Sequence, residues 1–484
     1  MSFISFPFLL CTGILIALYY TIPRRGQWVL LLLVSCGFYL YSGLDNVCYI
    51  LLTTASTYGT ARIIDRIQTT SDRRTAKQKS RKWVWLCLGL NFGLLAICKV
   101  RLTFRSILLP MGISFYIFQS IGYVLDVYRG SIKAERNPFK FALFVSFFPQ
   151  LIQGPISKYG KLAPQLLGEH PYNGKQVSFG LQRILWGYFK KLVIADRIAA
   201  AVSALRGPEH TGLSFFMLTC FYAIEVYGDF TGGIDIAIGL SEALGISLPE
   251  NFARPFFSRN IAEYWRRWHI TLGAWMKEYV FYPVSVSAPM RRLSKSARTR
   301  WPKFGKRIPV YAASFATWFC TGIWHGITPN FLLWGMMNCA VIVLSEELTP
   351  LYEKFHSRFG WKQKRWYGCF EILRTFALMN LIRIVDLFPN VGEYFRRLGS
   401  LFSSFQVPFL DLGLTGLDYG ILLCGVVLML TVSLLQERFG SVRELLWERS
   451  GLRYALTIGL LLVVLLMGNY GIGYDAGNFI YNQF

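Results

Sequence analysis

The sequence predicts an all-α, polytopic integral membrane protein, and three observations carry that prediction. Of 484 residues, 53% are hydrophobic and only 16% are charged, with a mean hydropathy of +0.38. Apolar runs of about the length that crosses ~30 Å of hydrocarbon recur along the whole chain. The net charge of +24 collects in short stretches between those runs. That distribution sets topology and favours anionic lipid headgroups, so membrane lipids are expected neighbours and nucleic acid is not a partner. A soluble chain of this length would divide into two or more domains. No long polar segment separates the runs, so one membrane domain over 1–484 is expected. Its peripheral helices lie at about 1–105, its core at about 106–346 and its C-terminal helices at about 369–484.

The elements follow in order. The first run, 3–22, precedes the first charges, Arg24 and Arg25. A signal peptide carries positive charge before its apolar core, so 3–22 reads as a retained membrane helix. Further runs fall near 28–44, 47–62, 83–98, 106–127, 139–153, 178–204, 213–241, 309–327, 330–346, 369–388, 417–435 and 453–472; the amphipathic and broken ones among them need not span. Basic stretches at 62–82, 287–308 and 354–366 are expected as cytoplasmic loops by the positive-inside rule. With that choice both termini lie outside and His325 sits near the outward turn of a hairpin formed by 309–327 and 330–346. The stretch 139–260 is rich in Gly and Pro, including Pro149, Gly154, Pro155, Gly228, Gly232 and Gly233. Broken or re-entrant membrane segments are expected there.

The ten cysteines are scattered with no CxxC pair, and read as small core residues and not as disulfides or a metal site. No phosphate-binding or dinucleotide loop, metal-spaced His/Cys set or serine-nucleophile motif is present. An ATPase, a dinucleotide enzyme and a metallohydrolase are therefore not indicated, and no bound metal or permanent cofactor is expected.

Two short motifs stand out: Glu263-Tyr264-Trp265-Arg266-Arg267-Trp268-His269, and Gly322-Ile323-Trp324-His325-Gly326 followed by Phe331-Leu332-Leu333-Trp334-Gly335. Only five histidines occur in the chain, and two lie here beside tryptophan. Ionisable side chains are expensive in membrane-type sequence and default to a functional reading. A neutral imidazole, with an unperturbed pKa of ~6.5, suits proton transfer near neutral pH. The structural alternatives are a hydrogen-bonding His325 in an apolar helix, and an interfacial His269 on an amphipathic helix over about 260–280. Glu225, Asp229 and Asp235 lie in an apolar segment. They read as ion pairs supporting a broken helix or as a functional set, with Arg254, Arg259 and Arg266 as candidate partners. Gln150, Gln153 and Ser157 line a polar passage or satisfy the broken backbone at Gly154-Pro155.

The ordered set of motifs resembles the membrane-bound O-acyltransferase (MBOAT) family, within it the bacterial alginate O-acetylation (AlgI-like) branch. Pro110 to Tyr116, Tyr123 to Gly130, Phe147 to Ile156, Gly187 to Arg197, Pro249 to Pro255, the two histidine motifs and Phe479 to Phe484 carry the resemblance. The teichoic-acid D-alanyl transfer (DltB-like) branch shares both histidine motifs. Departures from the alginate-type pattern occur at Asn338-Cys339, at Gly228-Asp229-Phe230-Thr231-Gly232-Gly233-Ile234-Asp235, and in the long basic stretch after His269.

The resemblance implies an MBOAT-type helical bundle with re-entrant or broken helices, whose catalytic core is the 106–346 region. The implied activity is an acyltransferase in a bacterial plasma membrane, moving an acyl group, with acetyl the first expectation, from a cytoplasmic thioester to a hydroxyl across the membrane. The donor is acetyl-CoA or an acyl-carrier phosphopantetheine, and the final acceptor a cell-surface polysaccharide reached through an extracytoplasmic relay protein. His325 takes the base role. His269 matches a position filled by Asn in many eukaryotic relatives, so its shared role is hydrogen bonding to the acyl carbonyl or the acceptor hydroxyl. Trp324, Asn330, Trp268, Gln153 and Asp229 are the expected lining of the substrate passage. D-alanyl transfer to teichoic acid, a transporter and a non-catalytic scaffold are the competing readings.

Overall fold

A computed structural model describes residues 2–105, 109–151, 153–207, 209–403, 412–471 and 474. The Phe479–Phe484 motif and Ile152 lie outside the described residues. Among the described residues the secondary structure is helical, without a strand. Four helices are by themselves long and apolar enough to cross a bilayer: Leu213–Ala243, Gly416–Phe439, Ser450–Met467 and the one that starts at Arg73. The bent pair Pro329–Glu347 and Thr349–Phe359 makes a fifth if counted as one span. Only 6% of the Ser450–Met467 window and 17% of the Gly416–Phe439 window are buried within the protein. Leu423, Leu434, Leu462 and Leu466 point outward. In water such faces would be untenable, and in lipid they are ordinary. This is a multi-pass membrane protein.

The structure corrects several expectations. The basic stretch 62–82 is not a loop. Helix Leu44–Thr70 and helix Arg73–Arg105 take up nearly all of it. Their 27 and 33 residues reach about 40 and 50 Å at ~1.5 Å per residue. Lys and Arg are good helix formers, so the charged ends simply extend the helices beyond the hydrocarbon. The stretch 287–308 is likewise helical, as Ala288–Arg300 and the start of Pro302–His325, and so is most of 354–366. Helix Leu213–Ala243 is continuous despite Gly228, Gly232 and Gly233. The breaks fall elsewhere: extended backbone at 153–158 and a π-helical stretch at Phe189–Ala195. All ten cysteines are free, and six of them are exposed and not in the core. On a lipid-facing helix a thiol is apolar enough to need no burial in protein.

The chain falls into two compact units. The first combines 1–193, 228–250 and 441–484. Its centre is the crossing of helix Gly174–Tyr188 with the second half of helix Leu213–Ala243. A Cβ on Gly187 would lie 2.6 Å from the Gly232 carbonyl oxygen, and one on Gly180 2.5 Å from that of Gly239. Small residues let the backbones touch, the usual means of tight helix contact in membranes. The contact brings the basic residues after Gly187 onto the acids of the facing helix. Lys191 Nζ lies 2.5 Å from Asp229 Oδ1, with side chains 1% and 2% exposed. Lys190 pairs with Asp235 at 2.6 Å and Arg183 with Asp235 at 2.9 Å and Glu250 at 2.6 Å.

These cations displace Arg254, Arg259 and Arg266 as partners of Asp229 and Asp235. Arg254 pairs instead with Glu437 at 2.5 Å, and Arg266 is exposed. Widening of the helix at Phe189–Ala195 shifts the backbone register, and the Leu192 carbonyl accepts from the Asn469 N–H at 2.9 Å. The broken segment is satisfied locally too. Gln150 Nε2 donates to the Pro155 carbonyl at 2.7 Å and to Ser157 Oγ at 2.6 Å.

The second unit combines 194–227 and 251–440 and holds both singled-out histidines. Its helices Pro302–His325 and Pro329–Glu347 form a close hairpin, because a Cβ on Gly335 would lie 2.5 Å from the Trp318 carbonyl oxygen and one on Gly322 2.8 Å from that of Phe331.

The buried pair makes a direct test. Asp229→Ala leaves the Lys191 ammonium buried without its carboxylate and should cost about 3–5 kcal/mol. The double change Asp229→Leu with Lys191→Met removes both charges and should recover most of that loss. Thermal unfolding of the purified protein in detergent reads both. A double variant as unstable as Asp229→Ala would show that the pair is not what the site requires.

Candidate active site

The site is built around a sharp turn. The sequence pattern predicts one amphipathic helix over about 260–280. The structure instead has two seven-residue helices, Ile261–Arg267 and Ile270–Met276, each only about 10 Å long and so unable to span. Asn260 starts the first by accepting from the Glu263 N–H at 2.8 Å. Glu263 in its first turn and Arg266 and Arg267 in its last oppose the helix dipole. Trp268 leaves the helix in an extended conformation, and His269 takes left-handed backbone, φ 46° and ψ 51°. Only two non-glycine residues have positive φ among those described, Arg254 and His269. Such conformations cost about 1–3 kcal/mol and persist where the surroundings enforce them.

Asn251 does the enforcing. Its carbonyl accepts from the Ile270 N–H at 2.9 Å. Its side-chain Oδ1 accepts from the Thr271 N–H at 3.1 Å and from Thr271 Oγ1 at 2.9 Å, and lies 3.3 Å from His269 Nδ1. The backbone donor at Thr271 identifies this atom as the amide oxygen, which can only accept. The proton of the neutral imidazole is thereby assigned to Nδ1, leaving Nε2 with the lone pair. His269 is 3% exposed, and burial pushes its pKa down to about 3. It is neutral at pH 7.

A second brace acts on Trp268. The Arg383 guanidinium sits 3.7 Å from its ring centroid, within strong cation–π range. Tyr264 stacks on the same indole at 5.7 Å and 10°, and its hydroxyl accepts from Arg383. Phe252 meets the indole edge-on at 4.9 Å. The peptide after Arg383 is pinned by Asn330, whose Nδ2 donates to the Val385 carbonyl at 3.1 Å and that of Phe388 at 2.6 Å. Asn330, expected to line the passage, spends its amide nitrogen on this staple.

His325 ends helix Pro302–His325 and is half-buried. Its ring lies 4.7 Å from both Trp324 and Trp334 and stacks on Phe331 at 6.3 Å and 18°. Trp265 and Trp318 continue the aromatic wall, Trp265 4.7 Å from Trp318 and 5.9 Å from Trp334. A Cβ on Gly326 would lie 2.1 Å from the Phe331 ring, so only glycine lets the chain turn there with Phe331 in place. Trp324 touches both imidazoles, His325 at 4.7 Å and His269 at 6.0 Å. Thr321, a polar neighbour, donates its hydroxyl back to the Thr317 carbonyl at 2.7 Å.

The structure therefore brings His269, His325, Trp268 and Trp324 together in one unit. Gln153 and Asp229 belong to the other unit, where Asp229 is committed to Lys191. Gln153 is fully buried, and its amide makes no hydrogen bond among the described residues. Among the described residues no cluster of three or more His, Cys, Asp or Glu forms a metal site. Sequence reasoning missed Asn251 and Arg383. Arg383 was legible as a cation within the apolar run 369–388. Asn251, one polar residue in a loop, gave no such signal.

A multi-pass helical protein with two histidines flanking one indole fits membrane acyl transfer. Residues 132–380 match the family model for MBOAT, membrane-bound O-acyltransferase, and the chain belongs to that family. It is similar to the probable alginate O-acetylase AlgI of Pseudomonas syringae pv. tomato, 30% identical over 416 residues, which cover 81% of this chain and 73% of that protein. It is 32% identical over 320 residues to the peptidoglycan O-acetyltransferase of Helicobacter pylori, covering 57% of this chain and 58% of the relative. To the teichoic acid D-alanyltransferase of Bacillus subtilis it is 26% identical over 272 residues, covering 55% and 65%.

Asn251→Ala should destabilise the protein by about 1–3 kcal/mol, the scale for loss of a buried hydrogen-bond partner, because the Thr271 N–H and hydroxyl lose the Asn251 oxygen. Asn251→Asp keeps that acceptor and should lose less. Thermal unfolding in detergent ranks the two, and equal behaviour of both with the unmodified protein would remove Asn251 from its place in the turn.

Proposed function

We propose that this protein transfers an acyl group from a thioester to a hydroxyl, with His325 as general base and His269 orienting the acceptor. Trp324, in contact with both imidazoles, is the observation that carries the reading. The hydroxyl oxygen attacks the thioester carbonyl as His325 takes its proton. Collapse of the tetrahedral intermediate expels the thiolate, which recovers the proton from His325. No covalent enzyme intermediate is needed. A neutral His269 with its proton on Nδ1 offers Nε2 only as an acceptor. That favours orientation of the acceptor hydroxyl over polarisation of the acyl carbonyl. The aromatic wall around His325 supports the reading by keeping bulk water, a competing acceptor, from the thioester.

The relatives named as alginate and peptidoglycan O-acetylating enzymes support acetyl as the group and a cell-surface polysaccharide as the final acceptor. The donor is acetyl-CoA or a carrier-borne phosphopantetheine thioester on the cytoplasmic side, and an extracytoplasmic protein relays the group onward. D-alanyl transfer is the second reading, favoured by the Bacillus subtilis relative. The protein sits in a bacterial plasma membrane with both termini outside.

The histidines give an ordered outcome. His325→Ala should abolish transfer, since a general base contributes about 10²–10⁴-fold. His269→Ala should come next, losing both the acceptor atom and a residue type that tolerates positive φ. His269→Asn should be mildest, because Asn is enriched there and still hydrogen-bonds. Acyl-ester content of the surface polymer, normalised to protein in the membrane fraction, reads the series. Near-normal ester with His325→Ala would end the catalytic assignment, and His269→Asn as inactive as His325→Ala would mean that His269 moves a proton.

For sidedness, single cysteines placed at Lys79 and Lys295 in a cysteine-free background should resist an impermeant thiol reagent in intact cells and react after permeabilisation. Labelling of both from outside would invert the topology.

A further inference from the structure

Among the described residues most buried cations have a carboxylate partner, whereas the exposed cations of helix Ala288–Arg300 take part in no ion pair. Helix Ala288–Arg300 starts at Ser287, whose Oγ accepts from the Met290 N–H at 3.4 Å. It folds back on helix Pro302–His325 through the single residue Trp301. Ser294 Oγ donates to the Gly305 carbonyl at 2.6 Å, and a Cβ on Gly305 would lie 2.5 Å from the Arg298 nitrogen. Ser294 is thus fixed against the neighbour. At 100° per residue, Arg291, Arg292, Lys295 and Arg298 span one arc of about 120°, which starts beside Ser294 at Arg298 and runs out through Lys295 to Arg292. All four are exposed, and none takes part in an ion pair among the described residues. The acid that does lie near this hairpin, Glu347, is engaged by Arg307.

The apolar surroundings say what faces this arc. Phe304, Phe315, Phe319 and Ile323 are exposed along one stripe of helix Pro302–His325. From Phe304 to Ile323 the stripe rises about 29 Å at ~1.5 Å per residue, close to the ~30 Å hydrocarbon thickness. With that stripe set in hydrocarbon, helix Ala288–Arg300 would join it at the Phe304 end, at headgroup level. Tyr282, Val286, Leu293 and Trp301, on this helix and in the residues flanking it, are exposed as well, a mixture of cations and apolar groups found on helices that lie in a membrane interface. Arg300 covers the Trp301 ring at 5.0 Å.

We propose that the cationic face of helix Ala288–Arg300, formed by Arg291, Arg292, Lys295 and Arg298, is a binding site for the phosphate headgroups of anionic membrane lipids. Guanidinium groups pair with phosphate through two parallel N–H donors, and each surface cation strengthens attachment to an anionic bilayer by about fivefold. The inference rests on the membrane reading and not on acyl transfer, so its outcome is separate from that of the histidine variants.

The test uses the full chain purified in mild detergent and reconstituted into phosphatidylcholine nanodiscs doped with phosphatidylglycerol. Phosphatidylglycerol retained per protein is measured by mass spectrometry after re-extraction. The quadruple variant R291Q/R292Q/K295Q/R298Q keeps helix-forming side chains on an exposed face and should retain about tenfold less, or lower still. A control with the same charge loss, R73Q/R74Q/K77Q/K79Q, should retain nearly as much as the unmodified protein. Equal retention by the quadruple variant overturns the proposal. Equal losses in both variants overturn it too, because net charge and not a site would then be responsible. Full displacement of the lipid by inorganic phosphate would assign the face to free anions instead. Retained lipid with loss of capture by an acidic protein would make it a protein-docking face.

Discussion

A charge or backbone group left unpaired in hydrocarbon costs several kcal/mol, and nearly every structural choice in this protein answers that constraint. Lys191 and Asp229 are both almost fully buried, and each would be untenable without the other. Their pairing depends on the glycines at 187 and 232, which let two backbones come close enough for a short ion pair to form. The π-helical stretch that carries Lys190 and Lys191 then has its Leu192 carbonyl satisfied by Asn469. On helix Ala288–Arg300 the four cations take part in no ion pair among the described residues and are exposed, and the proposed phosphate headgroups would supply their counter-charge.

The same constraint shapes the histidine site. A helix break within a buried region frees backbone donors, and Asn251 absorbs them with one carbonyl and one side-chain oxygen. Because the oxygen that caps Thr271 also faces Nδ1 of His269, satisfying the backbone and setting the tautomer are one act. Structural need and chemical orientation are carried by the same atom. On the other side of the turn, Arg383 holds Trp268 by its face, so the residue before the histidine cannot swing without losing a cation–π contact and its stacking on Tyr264.

Much of this was legible in the sequence, and the parts that were not share a cause. Apolar runs of membrane-crossing length found the membrane class, and the scarcity of histidine singled out His269 and His325 as candidates. The error at 62–82 came from equating charge with loop. Helices outlast the hydrocarbon when their ends are built of Lys, Arg and Gln, and hydropathy alone stops at the membrane edge. The error at Asp229 and Asp235 came from choosing arginines by proximity to the motifs, when the partners lie about forty to fifty residues earlier and are delivered by a helix crossing. The error over 260–280 was of another kind. The amphipathic pattern continues through Trp268 and His269, and nothing in composition announces a left-handed residue there. Only the tertiary staple from Asn251 makes the break pay.

Two independent demands therefore meet at position 269. The backbone there sits at positive φ, which narrows the comfortable residues to glycine and those enriched in that region, Asn, Asp and His. The buried side chain faces the amide oxygen of Asn251, which calls for a donor on the near side. Glycine offers no side chain, and an ionised aspartate would set a buried charge against that oxygen. Histidine and asparagine remain, since each can donate to Asn251 and still present an acceptor on another atom. They differ in reach: with Cγ and the donor nitrogen overlaid, the asparagine oxygen falls at the place of imidazole Cδ2, one bond short of Nε2. The substitution that preserves fold and hydrogen bonding thus draws the acceptor atom back toward the backbone by one bond length, ~1.4 Å. Under the proposed acyl transfer such a retreat keeps the hydrogen bond but loosens the alignment of the acceptor hydroxyl, so the choice between two structurally acceptable residues would be made by the acceptor that has to be oriented.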